Sequence, residues 1–174
     1  MTPTYETAGR VSAVSTGRSR FAWQLYRGVL IMEIQGYQFP EGLYYDDDHV
    51  WYRKDGDLLV MGLDDFAQKS AGDIVFIQLP KVGKPVKRGK KVGKIESGKW
   101  LGQVTSPVDG ELVEANTALE ADPGLVNRDS FGEGWLYKVR PDDMGPVDAL
   151  RSDPAALESW MKDELEKYKD QLGG

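Results

Sequence analysis

Among the residues of this chain that could do chemistry, one lysine is placed unlike the rest. Val92-Gly93-Lys94-Ile95-Glu96-Ser97-Gly98-Lys99-Trp100-Leu101-Gly102-Gln103-Val104 reads as strand, turn, strand, with Lys99 at the tip. A hairpin tip fixes the Cα on rigid strands and lets a long side chain project into water. That is the geometry required of a lysine that an enzyme must grip and modify, and from which a carried group must swing. Gly98 is expected to free the backbone for a sharp turn. An ordinary solvated turn lysine has the same local signature, so the hairpin alone does not decide between the two.

Few other residues could carry a reaction. The chain holds no cysteine and one histidine. This excludes a disulfide scaffold, a thiolate metal site, a Cys nucleophile, a CxxC pair and a multi-histidine metal site. General-base chemistry hangs on His49 with Asp48 or Asp47, and no nucleophile is placed to use it. A lone histidine after an acidic run is more often a surface or packing residue, so independent catalysis is not expected. Nor is nucleic-acid binding, because Lys plus Arg number 22 against 28 Asp plus Glu, a net charge of −6, and phosphate contacts need a basic surface.

The elements that must position Lys99 read as mainly β. The 174 residues, 40% of them hydrophobic, suffice for one ordinary domain with an extension. Val50 to Arg53 and Leu58 to Leu63 predict a hairpin turned at Asp55-Gly56. Asp64 is placed to cap a short helix that Gly72 ends. Asp73 to Leu79 is the strongest strand, stopped by Pro80. Residues 152–171 change period, with Ser152 or Asp153 as cap, Pro154 at the first helical position, and Leu157, Trp160, Met161, Leu165 and Tyr168 on one stripe. Pairs of Glu158 with Lys162 and Asp163 with Lys167 support this helix.

Residues 1–31 carry four Arg and one acid, a net of +3 that leaves −9 on the remainder. Such a stretch reads as a flexible tail, as sequence upstream of a start at Met32, or as a transit peptide. The expected division is an extension over 1–33, a domain over 34–145 and a C-terminal helix over 146–174 packed on it. Near the start the longest apolar stretch is Gly28 to Met32, far below the roughly 20 residues that span a bilayer, and no membrane partner is expected.

At Lys99 the chain resembles the H protein of the glycine cleavage system and, more broadly, the lipoyl-carrier domains. Glu96-Ser97-Gly98-Lys99 is similar to the family's Glu-Ser-x-Lys lipoylation motif. Upstream, Asp48-His49-Val50-Trp51 resembles its opening His-x-Trp, followed by Gly62-Leu63-Asp64-Asp65-Phe66-Ala67, Gly72 to Phe76, Leu79-Pro80 and Gly83. Downstream come Ser106 to Gly110, Asn116, Ala118-Leu119, Asp122-Pro123, Leu125-Val126-Asn127, Gly132 and Gly134-Trp135 in family order. The resemblance covers about residues 40–140. It implies a barrel-sandwich hybrid lipoyl domain with the lysine hairpin exposed at one edge. Its flanks would be covered by a short helix at about 64–70, a loop-helix region around 115–130 and the C-terminal helix. It further implies lipoate on Lys99, a turn set by Glu96, Ser97 and Gly98 for a lipoate-attaching enzyme, and a monomeric cytoplasmic carrier without catalysis of its own.

Three departures from the family bear on partners. Gly98 and Trp100 flank the lysine where small or β-branched residues are typical, making Trp100 either a bed for the arm or part of the hairpin's packing. Eight cations fall between Lys81 and Lys99, opposed only by Glu96; Lys84, Lys87, Arg88, Lys90, Lys91 and Lys94 are expected to steer docking onto an acidic partner. The C-terminal helix is longer and richer in charge pairs than usual. These features resemble the lipoate-binding proteins of bacterial sulfur oxidation, which implies a sulfur-bound cargo and a heterodisulfide-reductase-like partner. The alternatives are a glycine-cleavage carrier of an aminomethyl group, served by a dihydrolipoyl dehydrogenase, and an unlipoylated interaction module. Biotin carriage is disfavoured because none of the five Met lies near Lys99.

Overall fold

A computed structural model describes residues 21–26 and 28–172 of the chain. The transit-peptide and tail readings therefore fall mostly on residues outside those described. The described chain forms two compact units, one over Tyr44–Leu150 and one that joins 21–43 to 151–172.

In the second unit, strands β1 (Ala22–Tyr26), β2 (Val29–Ile34) and β3 (Tyr37–Pro40) form an antiparallel sheet. Gln35 and Gly36, at φ 53° and 84°, make the two-residue turn between β2 and β3, where both central residues need positive φ. Strand β1 and the first half of β2 lie in the stretch 1–31 set apart above by its Arg-rich composition. Short strands cut by Gly28 (φ +83°) and Gly36 are weak sequence signals beside a strong charge bias.

The first unit opens with β4 (Tyr44–Tyr45), β5 (Val50–Asp55) and β6 (Leu58–Leu63), then helix α1 (Asp65–Ala71) and β7 (Ile74–Gln78). Strands β8 (Pro85–Val86), β9 (Lys91–Ser97), β10 (Leu101–Thr105) and β11 (Gly110–Ala115) follow. Helices α2 (Ala118–Ala121) and α3 (Leu125–Arg128), strand β12 (Tyr137–Pro141) and helix α4 (Gly145–Asp148) complete it. Six strands make one sheet in the order β4-β5-β6-β12-β11-β8, and β10-β9-β7 make the other. Their inner faces share one core that includes Tyr52, Leu59, Met61, Ile77, Ile95, Val104, Leu112, Tyr137 and Val139. The chain is mainly β, a sandwich with short flanking helices, as its sequence implied.

Two details tie sequence to packing. Asp64 caps α1 by accepting the Ala67 N–H at 2.7 Å, and Gly72 ends the helix at φ +76°. Trp51 pairs across the strands with Gly62, and a Cβ on Gly62 would sit 2.6 Å from its ring, so glycine makes room for the buried indole. In the second unit, helix α5 (Pro154–Leu172) lies against β2, with Asp153 accepting the Ala156 N–H at 3.0 Å. Its buried stripe is Leu157, Trp160, Met161 and Glu164, whereas Leu165 and Tyr168 are half-buried. Lys162 pairs with Glu158 as expected, but Lys167 pairs with Glu164 at 3.4 Å rather than with Asp163. No described helix is long and apolar enough to cross a membrane.

Candidate functional site

Strands β9 and β10 pair with Leu101 opposite Glu96, Gly102 opposite Ile95 and Gln103 opposite Lys94. The Ser97 N–H donates to the Trp100 carbonyl at 2.9 Å, closing a two-residue loop of Gly98 and Lys99. The Lys99 N–H donates to the Ser97 hydroxyl at 3.3 Å, so the serine holds the lysine's own backbone. Ile95 and Val104 root the hairpin in the core, and the Tyr137 hydroxyl donates to the Thr105 carbonyl at its base. Rigid strands thus lead to an exposed tip. Among the described residues, no hydrogen bond or ion pair engages the Lys99 ammonium.

Gly98 does not do what the sequence suggested. It is not among the residues with positive φ, and a Cβ on it would meet nothing within 4 Å. The turn therefore does not use the left-handed conformation that only glycine adopts freely. Gly98→Ala is expected to keep the fold and raise the unfolding free energy by about 0.5 kcal/mol through a less flexible unfolded chain. Urea unfolding at unchanged slope reads this directly, and a loss above roughly 1 kcal/mol would mean that the turn requires glycine.

Trp100 packs on its own hairpin and stays partly exposed. Its indole lies flat over Gly102, where a Cβ would fall 1.9 Å from the ring, yet the residue is 40% exposed. Glu96, Ser97, Gly98, Lys99 and Trp100 are thus brought together at one tip.

The basic residues are not. β9 runs from Lys91 to Ser97, six steps of about 3.3 Å, so the cations that precede Lys99 in sequence sit at the far end of the strand. Lys87 lies 3.4 Å from Asp109, and the Arg88 N–H donates to the same carboxylate at 2.8 Å. Lys84 and Lys91 line a groove of about 430 Å³ with Lys81, over Leu79, Pro80, Val86 and Leu112. Lys90 is exposed in the loop between them. Only Lys94 stands between the two ends, paired with Glu96 at 2.5 Å and lying 5.5 Å from the centre of the Phe76 ring.

His49 belongs to packing. Its Nδ1 lies 2.9 Å from Asp64 and its ring stacks on Phe66 at 4.4 Å, while Asp48 reaches instead to the Thr105 hydroxyl. The dyad with Asp48 or Asp47 is replaced by a buried link to the helix cap, fifteen residues away in sequence. Burial holds the Asp64 carboxyl above its usual range, opposed by the His49 hydrogen bond.

Two residues have roles near the tip that the sequence did not show. Lys99 Cε passes over Gly72, where a Cβ would lie 3.4 Å from it. Asn127 of α3 clamps that same α1–β7 turn: its Oδ1 accepts the Ile74 N–H at 2.9 Å, and its Nδ2 donates to the Gly72 carbonyl at 3.0 Å and toward Gln68. Asn127 stands within the ordered family motif, but nothing in its spacing names partners more than fifty residues upstream.

The site is a single lysine presented at an exposed, rigid tip, and no cluster of metal-ligating side chains is found among the described residues. The family model described as Glycine cleavage H-protein matches residues 43–164, and the chain belongs to that family. A glycine cleavage system H protein of Thermus thermophilus is 43% identical over 111 residues, 64% of this chain and 87% of the relative. One from Anaeromyxobacter is 37% identical over 127 residues, 73% of this chain and 98% of the relative. The crystal structure of an H protein from Mycobacterium marinum superposes with a TM-score of 0.58 at 37% identity, covering 62% of this chain and 89% of that one.

Proteins of this family are non-catalytic carriers with lipoate covalently attached to a lysine, and this chain is a lipoyl carrier rather than an enzyme. The tip fits such a group. Its lysine is exposed, Gly98 adds no side chain beside it, and the missing Cβ of Gly72 leaves a bare stretch of backbone beneath the lysine stem.

Proposed function

We propose that Lys99 is the lipoylated residue and that the chain serves glycine cleavage, carrying an aminomethyl group between a decarboxylase and an aminomethyltransferase in the cytoplasm. The exposed two-residue tip that holds Lys99 is the observation that carries this reading. Lipoate bound there supplies a thiol-free chain with its only dithiol/disulfide couple. Ser97 and the paired strands keep the lysine Cα fixed, while the stem, running over Gly72, stays free to swing. Glu96, Ser97, Gly98 and Trp100 form the setting that a lipoate-attaching enzyme grips. Amide formation removes the Lys99 charge.

Lys84, Lys87, Arg88, Lys90, Lys91 and Lys94 form the proposed docking surface for acidic partners, a dihydrolipoyl dehydrogenase among them. Because most of them sit about 20 Å from the tip along β9, they attract the body of a partner rather than its active-site mouth. Salt screens that attraction beyond about 8 Å under physiological conditions.

A second reading keeps the carrier and changes the cargo to sulfur, with a heterodisulfide-reductase-like partner. Exposed Trp100 beside Lys99 favours it; the relatedness to glycine cleavage H proteins across the lipoyl domain favours the aminomethyl reading.

Intact mass tests both levels. Protein made in a lipoylating host is expected to carry a lipoyl increment that Lys99→Ala lacks entirely. The lipoylated protein in its oxidised, disulfide form, incubated with a glycine decarboxylase and glycine, is expected to gain the mass of a one-carbon amine as the S–S bond opens, one sulfur takes the aminomethyl group and the other becomes a thiol, and CO2 leaves. Lipoylation without that gain would transfer support to the sulfur cargo. No lipoylation in the presence of a competent attaching enzyme would leave an interaction module and end the carrier mechanism.

A further inference from the structure

The outer face of the β10-β9-β7 sheet is not uniformly polar. One row away from the tip, Leu101, Glu96 and Phe76 stand side by side across the three strands. Leu101 is 61% exposed and Phe76 46%. The next row, Gln103, Lys94 and Gln78, is polar. Large apolar side chains on the solvent face are concentrated beside Lys99.

The backbone puts them there. β7 pairs with β9 through an irregularity in which Ile74 faces Ser97 and Phe76 faces Glu96, so two steps of β7 match one of β9. Strict alternation after buried Ile74 would turn Val75 out and Phe76 in. The bulge instead leaves both exposed, Val75 at 61%, while Ile77 returns to the core. Bulges re-aim side chains in this way, often beside functional sites.

We propose that Phe76 and Leu101, on either side of the Glu96 that Lys94 already pairs, form the contact surface for the enzyme that acylates Lys99, whose active-site mouth would present apolar rim residues. The inference rests on Lys99 being the acylated lysine. Reach selects this partner over the others. An extended side chain gains about 1.25 Å per bond, so the lysine Nζ stands about 6 Å from its Cα, whereas the end of a lipoyl arm stands about 14 Å away. Strands lie about 4.8 Å apart, so the Leu101–Glu96–Phe76 row spans about 10 Å immediately behind the tip. An enzyme acting at Nζ must bring its catalytic groups within about 6 Å of the tip Cα and so close over that row. One acting at the end of the arm can stand clear of it. At the acylation step the Lys99 ammonium gives one proton to solvent, its free amine attacks the lipoyl carboxyl activated as an acyl adenylate, the bond to phosphate breaks, AMP leaves, and the amide nitrogen gives up its second proton. The half-exposed apolar side chains gain burial only in that complex.

The test compares Phe76→Gln, Leu101→Gln and the double variant in two assays. Lipoylation is followed by intact mass with a lipoate–protein ligase, lipoate and ATP. Forms driven to full lipoylation by excess ligase are then assayed for reduction by a dihydrolipoyl dehydrogenase and NADH. The double variant is expected to lose about tenfold in kcat/KM for lipoylation through KM, with an unchanged melting temperature and an unchanged reduction rate; Phe76→Leu is expected to restore most of the loss at that position. Unchanged lipoylation kinetics, or equal losses in both assays, would overturn the proposal. Should Phe76→Gln alter folding, Leu101→Gln alone decides, since its side chain is exposed in the free protein. Failure of the wild-type chain to accept lipoate would instead overturn the carrier reading beneath it.

Discussion

Asn127→Ala is expected to lower the unfolding free energy by about 2–3 kcal/mol, because it removes a hydrogen-bond partner from two backbone groups at once. The Ile74 N–H and the Gly72 carbonyl both bond to this amide, at 2.9 and 3.0 Å, and Gln68 receives it on the other side. The Ile74 side chain is buried beside its N–H, and an unsatisfied donor there costs about 1–3 kcal/mol. No side-chain volume is lost from the main core, so the loss belongs to hydrogen bonding rather than to a cavity. Urea unfolding measures the total. Amide hydrogen exchange then separates local from global effects: the Ile74 amide should lose more protection than the Ile95 amide of β9. Equal losses at the two positions would show that Asn127 supports the fold generally and not this turn. The turn matters because Gly72 lies beneath the Lys99 stem; α3, far from the hairpin in sequence, shapes the ground over which the lysine moves.

What the sequence made legible was what local chemistry controls. The Asp64 cap needs only the Ala67 N–H three residues on, and the lysine loop needs only Ser97 and Trp100 on either side of it. Helix α5 followed its period, but Glu164 took a place on the buried stripe because its position on the helix, rather than its type, set its burial. Long-range placement was less readable. His49 bonds to Asp64 across a cross-strand turn, not to its neighbour Asp48. The cations looked adjacent to Lys99 because chain distance was the only distance available, yet β9 carries the tip away from them. The bulge at Val75 leaves no mark in composition, since Ile74 to Ile77 would read as one buried strand either way. Gly98 misled in the opposite direction: its type suggested that the sharp turn needs glycine's freedom, yet the backbone there takes no positive φ.

Acidity should alter stability through Asp46, at the entry to the β5 strand. Burial pushes its carboxyl from 3.8 up to about 6, against the hydrogen bonds it accepts from the Tyr52 hydroxyl and from the Val50 and Asp48 N–H groups, and with further repulsion from Asp48. Tyr52 and Tyr137, also buried around it, are pushed up as well and stay neutral in this range. A raised acid binds its proton more tightly in the folded chain than in the unfolded one. The group therefore costs nothing below about pH 4, where both states are protonated, and its cost grows between about pH 4 and 6 as the unfolded state ionises first. Above pH 6 the cost levels at about 3 kcal/mol, taking 1.36 kcal/mol per unit. Asp46→Asn keeps an oxygen for the two backbone N–H groups and a donor toward Tyr52 while removing the charge. The difference in unfolding free energy between variant and wild type should therefore move by about 3 kcal/mol in the variant's favour from pH 4 to pH 7. A flat difference across that range would mean that the carboxylate is solvated well enough to ionise normally. The contact has reach beyond its own strand: Asp48, held in the same turn, meets the Thr105 hydroxyl, and Tyr137 meets the Thr105 carbonyl.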